Sequence, residues 1–232
     1  MTTPDNLDVL YEDNHIIAIN KRSSDIVQGD KTGDMPLNEI VKLYLKNKYN
    51  KPGEVFLGTI HRIDRPVSGV VIFAKTSKAL ERLNKMFKEK TIQKTYWAIV
   101  KNKPDETTAH LVHYLFKNQQ KNKSIAYIKP TGDAKKSELS YRVIHSFKTF
   151  FLLEVTPFTG RHHQIRVQLS AIKSPIKGDL KYGADRSNKD ASISLHARKI
   201  EFIHPVKKEV LSITAPPNTE DALWKEASTL FK

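Results

Sequence analysis

The sequence predicts an α+β fold, a mixed, mainly antiparallel sheet with flanking helices. Three observations point there. Short strand-like apolar runs recur along all 232 residues, joined mostly by turn-forming segments of hairpin length. Between them lie a few stretches with apolar residues at helical spacing. Strands and helices do not alternate at the regular spacing of β-α-β units, which argues against a purely parallel sheet.

Each element follows from local pattern. Residues 9–11 and 16–20 read as strands about the turn-forming Glu12-Asp13-Asn14, and a polar stretch follows over 23–33. Over 36–49, Leu37, Ile40, Val41, Tyr44 and Leu45 fall on one helical face, and Lys51-Pro52-Gly53 ends that helix. The continuous apolar run 70–74 reads as a buried strand. Thr76 and Ser77 are N-cap residues for a helix to about Lys90, with Leu80, Leu83 and Phe87 inward. Residues 91–100 read as a strand containing Tyr96. The lysine-rich middle, 104–136, reads as short strands joined by exposed loops, followed by strands over 138–146 and 150–156. Residues 161–172 read as a helix with Ile165, Leu169 and Ile172 on one stripe, stopped by Pro175. Strands over 192–203 and 210–214 close the sheet around His204-Pro205, and a short helix covers 220–230.

Composition limits the partners. The net charge of +14 draws polyanions, nucleic acid above all. The chain has no cysteine, which excludes disulfides and thiolate metal sites. No apolar segment approaches the roughly 20 residues that span a bilayer, and the N-terminus lacks the basic start and apolar run of a signal peptide. These features read as a soluble, cytoplasmic protein.

Three strings carry chemistry. Asp64 sits among His61, Arg62, Arg65 and Lys75, just before a buried strand. Neighbouring cations keep a carboxylate charged and available as a nucleophile. Alone, such an aspartate is an ordinary surface ion pair. Lys94-Thr95-Tyr96-Trp97-Ala98 is the second string, and its tyrosine alone would be a packing residue. The third is Thr159-Gly160-Arg161-His162-His163-Gln164-Ile165-Arg166-Val167. On a helix His162 and Arg166 are i,i+4 neighbours, and the polar face they share with Gln164 and Gln168 holds donors for an anionic ligand and no acid. A metal site drawn from His61, Asp64, His162 and His163 fits poorly, because adjacent helical residues point about 100° apart.

Together these strings resemble the RluA-type pseudouridine synthases. His61-Arg62-Ile63-Asp64-Arg65-Pro66-Val67-Ser68-Gly69 is similar to the family signature H-R-L-D-x-x-T-S-G, with Ile63 and Val67 as departures. Lys94-x-Tyr96 resembles the second family motif, and Gly160-Arg161-x-His163-Gln164-Ile165-Arg166-Val167 the third. Tyr11-Glu12-Asp13 with Asn20-Lys21, and Leu195-His196-Ala197 with His204-Pro205 and Ala215-Pro216, extend the likeness over nearly the whole chain.

The resemblance implies a single pseudouridine synthase catalytic domain over 1–232, with its core at about 7–216, a C-terminal helix at 217–232, a central active-site cleft and no S4-like domain. It implies Asp64 as the catalytic carboxylate, and Tyr96 as the residue that stacks on the target base and is a candidate to move a proton. Arg166 is implied to pair with the carboxylate, and Arg62 to displace the target nucleotide. His61, Lys21, Lys94, Arg161, His163, Gln164 and Ile165 are implied RNA or substrate contacts, joined by Arg22 and the lysines of 117–136. The implied reaction breaks a C–N glycosidic bond, rotates the uracil and rejoins it through carbon, so no cofactor and no metal is expected. The expected partner is RNA, large-subunit rRNA or tRNA, with no membrane, no obligatory protein partner and a monomeric enzyme. Attack on the sugar and attack on the base both remain open.

Overall fold

A computed structural model of the chain describes residues 2–29 and 32–231. In chain order the strands begin with β1 (Val9–Glu12), β2 (Ile16–Lys21), β3 (Gly58–Thr59), β4 (Ser68–Ala74), β5 (Gln93–Val100) and β6 (Thr108–Asn118). They continue with β7 (Lys123–Tyr127), β8 (Lys135–Ser146), β9 (Phe151–Pro157), β10 (Leu195–Ile203) and β11 (Val210–Thr214). The helices are α1 (Leu37–Lys48), α2 (Ser77–Glu89), α3 (Gln164–Ala171) and α4 (Ala222–Leu230). The expected α+β class is the observed one: the sheet is mainly antiparallel, as in the pairs β1–β2, β2–β4, β10–β11, β5–β9, β9–β8, β8–β6 and β6–β7.

The chain divides into two compact units. The first comprises Met1–Gln93 and Ala197–Pro217. Its sheet runs β1-β2-β4-β10-β11, with β3 against β4. The turn joining β1 to β2 forms because Asp13 Oδ1 accepts the N–H groups of His15 (2.8 Å) and Ile16 (3.0 Å), the local bond that makes aspartate a turn former. Ile16 to Ile19 and Val70 to Ala74 are buried at every position, as expected of strands apolar on both faces. Thr76 caps α2 by accepting the Ala79 N–H at 3.2 Å, and Leu83 is fully buried below it.

Glu12 ties β1 to α1 and β4. Its carboxylate accepts from Lys48 and Lys75, both at 2.7 Å, and from the Tyr49 hydroxyl at 2.7 Å. Burial alone would raise its pKa, but these three partners hold it at about 2. Asp13 is likewise held at about 2: burial is outweighed by the His15 and Ile16 N–H groups, the Tyr11 hydroxyl and the charge of His204.

The second unit comprises Lys94–His196 and Asn218–Lys232. Its strand order is β5-β9-β8-β6-β7. Trp224 and Ala227 of α4 pack on Trp97, Ile99, Phe147 and Leu152. Helix α3 lies against β6 and β7 through Val167, which clusters with Leu115 and Tyr182.

Two expectations fail here. The middle of the chain holds the expected short strand, β7, between exposed loops, but also an eleven-residue strand, β6, paired on both edges. Helix α3 starts at Gln164, three residues late, because His163 adopts a left-handed backbone at φ 52°. His162 and Arg166 therefore do not share a helical face. Nor is the polar face of α3 solvated, since every residue from Gln164 to Leu169 is buried.

The two depressed carboxylates set the acid limit of stability. Their contribution is complete above the unfolded values of 4.5 and 3.8 and is lost as pH falls toward 2. Glu12→Gln should cost about 1–2 kcal/mol at neutral pH and flatten the decline of unfolding free energy below pH 4.5. Urea titrations across that range provide the check.

Candidate active site

Asp64 stands half-buried at the start of a tight turn, with the Val67 N–H donating to its carbonyl at 3.0 Å. The turn is fixed from below. Lys21, at the end of β2, is 1% exposed and donates to the carbonyls of Arg22 (2.8 Å), Asp25 (2.7 Å) and Arg65 (3.1 Å). The Ser24 N–H also donates to Arg65 O, at 3.0 Å. Three acceptors match the three N–H groups of an ammonium, whereas a neutral amine would turn its lone pair on one of them. Burial pushes Lys21 down to about 7, against the opposing pull of Asp25 and Asp64. Its expected role as an RNA contact is therefore corrected: this cation is a buried clamp beneath the Asp64 turn.

The rest of the first string divides between packing and surface. His61 Nε2 accepts the Ile72 N–H at 3.0 Å, and its ring stacks on Phe87 with centroids 5.0 Å apart. Gly69 has φ +114°, and a Cβ there would lie 2.3 Å from the Ala197 carbonyl oxygen, so the closeness of β4 and β10 demands glycine. Arg62 and Arg65 are exposed, and Arg65 bonds Asp34 at 2.5 Å.

In the second unit, Trp97 and Ile99 face α4, so alternation along β5 turns the half-buried Tyr96 to the opposite face. Lys94 reaches the third string: its Nζ lies 4.0 Å from where a Cβ on Gly160 would stand, and burial lowers its pKa.

Arg166 is buried and forks onto Asp179, with Nε to Oδ2 at 2.7 Å and Nη2 to Oδ1 at 2.8 Å. Its guanidinium also lies 5.1 Å from the Tyr182 ring centroid. The Tyr182 hydroxyl accepts the Ser124 N–H at 2.7 Å and meets His163 Nδ1 at 2.9 Å. Burial raises the pKa of that hydroxyl, which suits it as the donor to His163. His162 stacks on His163, centroids 3.7 Å apart, and bonds Ser124 Oγ through Nδ1 at 2.9 Å.

Two further expectations are corrected. The Gln164 amide bonds the Thr159 hydroxyl (2.7 Å), the Arg161 N–H (3.0 Å) and the Glu138 carbonyl (2.9 Å), so it fixes the Thr159–Gly160–Arg161 loop rather than RNA. Ile165 is buried in the core. Arg161 is exposed, as an RNA contact requires.

Sequence reading missed Asp179 and Tyr182. Their string, Gly178-Asp179-Leu180-Lys181-Tyr182-Gly183, offered one signal: glycines at both ends, each now seen with positive φ, bracket an isolated acid. Among the described residues, no group of three or more histidine or acidic side chains is placed to hold a metal ion, and no helix is long and apolar enough to cross a membrane.

Residues 15–171, which hold all three strings up to the end of α3, match the sequence pattern of RNA pseudouridylate synthases. The chain belongs to that family. It is 35% identical over 225 residues to a protein of Vibrio cholerae named ribosomal large subunit pseudouridine synthase C, covering 94% of this chain and 68% of the relative. It is 34% identical to the Escherichia coli protein of the same name, covering 90% of this chain and 66% of that one. The chain thus spans about two thirds of the length of these relatives. Its fold is shared with human RNA pseudouridylate synthase domain containing 4, at a TM-score of 0.79 and 22% identity over 96% of this chain and 93% of that one.

Removing the buried clamp should be costly. Lys21→Met leaves three carbonyls without their donor and should lower unfolding free energy by roughly 2–4 kcal/mol, measured by chemical denaturation at pH 7. A change below about 0.5 kcal/mol, the range of ordinary surface substitutions, would show that the clamp does not hold the turn.

Proposed function

We propose that this protein isomerises uridine to pseudouridine in large-subunit ribosomal RNA, with Asp64 as the catalytic carboxylate. One observation carries the reading: the signature string folds into a turn that presents Asp64 half-buried, with the next carbonyl, that of Arg65, held by Lys21 and Ser24. The names of the relatives favour ribosomal over transfer RNA as the substrate.

The chemistry exchanges one bond for another. The C–N glycosidic bond breaks with its electron pair leaving on uracil. The base rotates, its C5 bonds the anomeric carbon, and the loss of the C5 proton is balanced by protonation of N1. Asp64 lends an electron pair during this exchange, to the sugar as in retaining glycosidases or to the base ring, and takes it back when that bond breaks to release pseudouridine. Both routes need a carboxylate held away from bulk water. Arg166, anchored by Asp179, is the cation we assign to the reaction. The Tyr96 ring stacks on the base and its hydroxyl moves a proton. Arg62 fills the space of the extruded nucleotide, whose unstacking costs about a few kcal/mol.

Exposed Arg22 and Arg161, the lysines of 117–136 and half-buried Lys94 neutralise phosphate. The enzyme acts as a monomer in the cytoplasm and without a cofactor.

The test is genetic and chemical together. Pseudouridines are mapped across rRNA and tRNA in cells lacking the protein, then after complementation. The wild type should restore at least one large-subunit site. Asp64→Asn should restore none while remaining folded and still binding RNA. Normal modification by Asp64→Asn would overturn the assignment.

A further inference from the structure

The two faces of the β6–β7–β8 sheet are unlike. On one, His113, Leu115, Ser124 and Ser137 are buried, with Gln168 and Val167 of α3 against them. The other face is uncovered. There the strand register aligns Tyr127, Tyr114 and Lys136 in one row, Ile125 and Phe116 in the next, and Val112 opposite Glu138. Phe158, just beyond β9, adds a ring 5.5 Å from that of His110. Val112, Phe116, Ile125 and Phe158 are between 38% and 46% exposed. A strand pair that leaves this much apolar surface in water is usually holding it for a partner.

The surroundings say which partner. Residues 117–136 contain six lysines and one acid, Asp133. Glu138, the carboxylate on the face itself, is matched by Lys136 at 2.8 Å and His110 at 3.4 Å. Rings interleaved with cations suit a polyanion that also offers flat apolar surfaces, which is what unpaired nucleotides are. A duplex would present only its backbone and leave the rings without partners. A protein partner would need an acidic surface to meet the lysines.

We infer that this face is a stacking platform for an unpaired stretch of the substrate RNA. The inference rests on the proposed RNA-modifying function and deepens it. Tyr114, Phe116 and Tyr127 stack on bases, while Lys121, Lys129 and Lys136 neutralise phosphates. The platform selects single-stranded RNA by shape rather than by sequence, because every base has a stacking face.

Binding and crosslinking test this directly. A fluorescein-labelled oligouridylate should bind the wild type more tightly than a duplex of the same length. The Tyr114→Ala/Phe116→Ala double variant, folded by circular dichroism, should lose affinity for the single strand roughly tenfold and its affinity for duplex little. An oligouridylate carrying 4-thiouridine should crosslink within β6 or β7 or at Phe158, as located by mass spectrometry. Unchanged affinity in the double variant, or crosslinks confined elsewhere, overturns the inference. Sedimentation equilibrium gives a further outcome: a dimer abolished by Phe116→Ser would assign the face to a second copy of this chain and overturn it as well. Because these readouts need no turnover, failure of the platform and failure of the proposed isomerase activity are distinguishable.

Discussion

A guanidinium in the interior of the second unit is hard to keep there, and much of the unit is arranged around keeping it. Removing a charge of this size from water costs several kcal/mol even after relaxation. Arg166 meets that cost with both arms of the Asp179 fork and the face of the Tyr182 ring. Asp179 in turn must be delivered by a turn with Gly178 and Gly183 at positive φ. Tyr182 must hold still, and the Ser124 N–H and His163 hold it. Helix α3 is buried at every position from Gln164 to Leu169 because its polar residues serve this interior rather than the solvent.

The elements that depend on local chemistry were legible in the sequence. Asp13 announced its turn, Thr76 its cap, and the apolar run 70–74 its buried strand, since each signal lies within a few residues of its effect. Elements set by distant partners were not. Periodicity placed Arg166, Gln164 and Gln168 near one another without saying what covers them. The answer lies in His113, Ser137 and Asp179, each remote in sequence from at least one of its partners. Strand β6 was hidden for another reason. Leu111 and Leu115 face α3 while Val112 and Phe116 face outward, so apolar residues fall on both faces and the period-2 signal disappears.

The candidate site residues were legible as strings, whereas their surroundings were not. Asp64, Tyr96 and Arg166 stand out through their strings, but charge alone could not sort the cations around them. Lys21 and Arg22 are adjacent and read alike, yet one is enclosed by three carbonyls and the other is exposed. Lys94 sits between these cases, half-buried beside Gly160. A lysine at the buried end of a strand serves the backbone, whereas one in a loop can meet phosphate. That distinction turns on which groups surround the ammonium, and sequence does not carry it.

We propose that the buried Asp179 carboxylate holds Arg166 ready for uridine isomerisation. The most direct measurement is single-turnover release of tritium from ribosomal RNA labelled at uridine C5, comparing wild type with Asp179→Asn where circular dichroism shows both folded. Release from Asp179→Asn should be slowed by about a hundredfold, the scale for losing one pre-organised electrostatic group, with RNA affinity unchanged. Release at the wild-type rate from a merely less stable protein would contradict it and reduce the pair to a structural role.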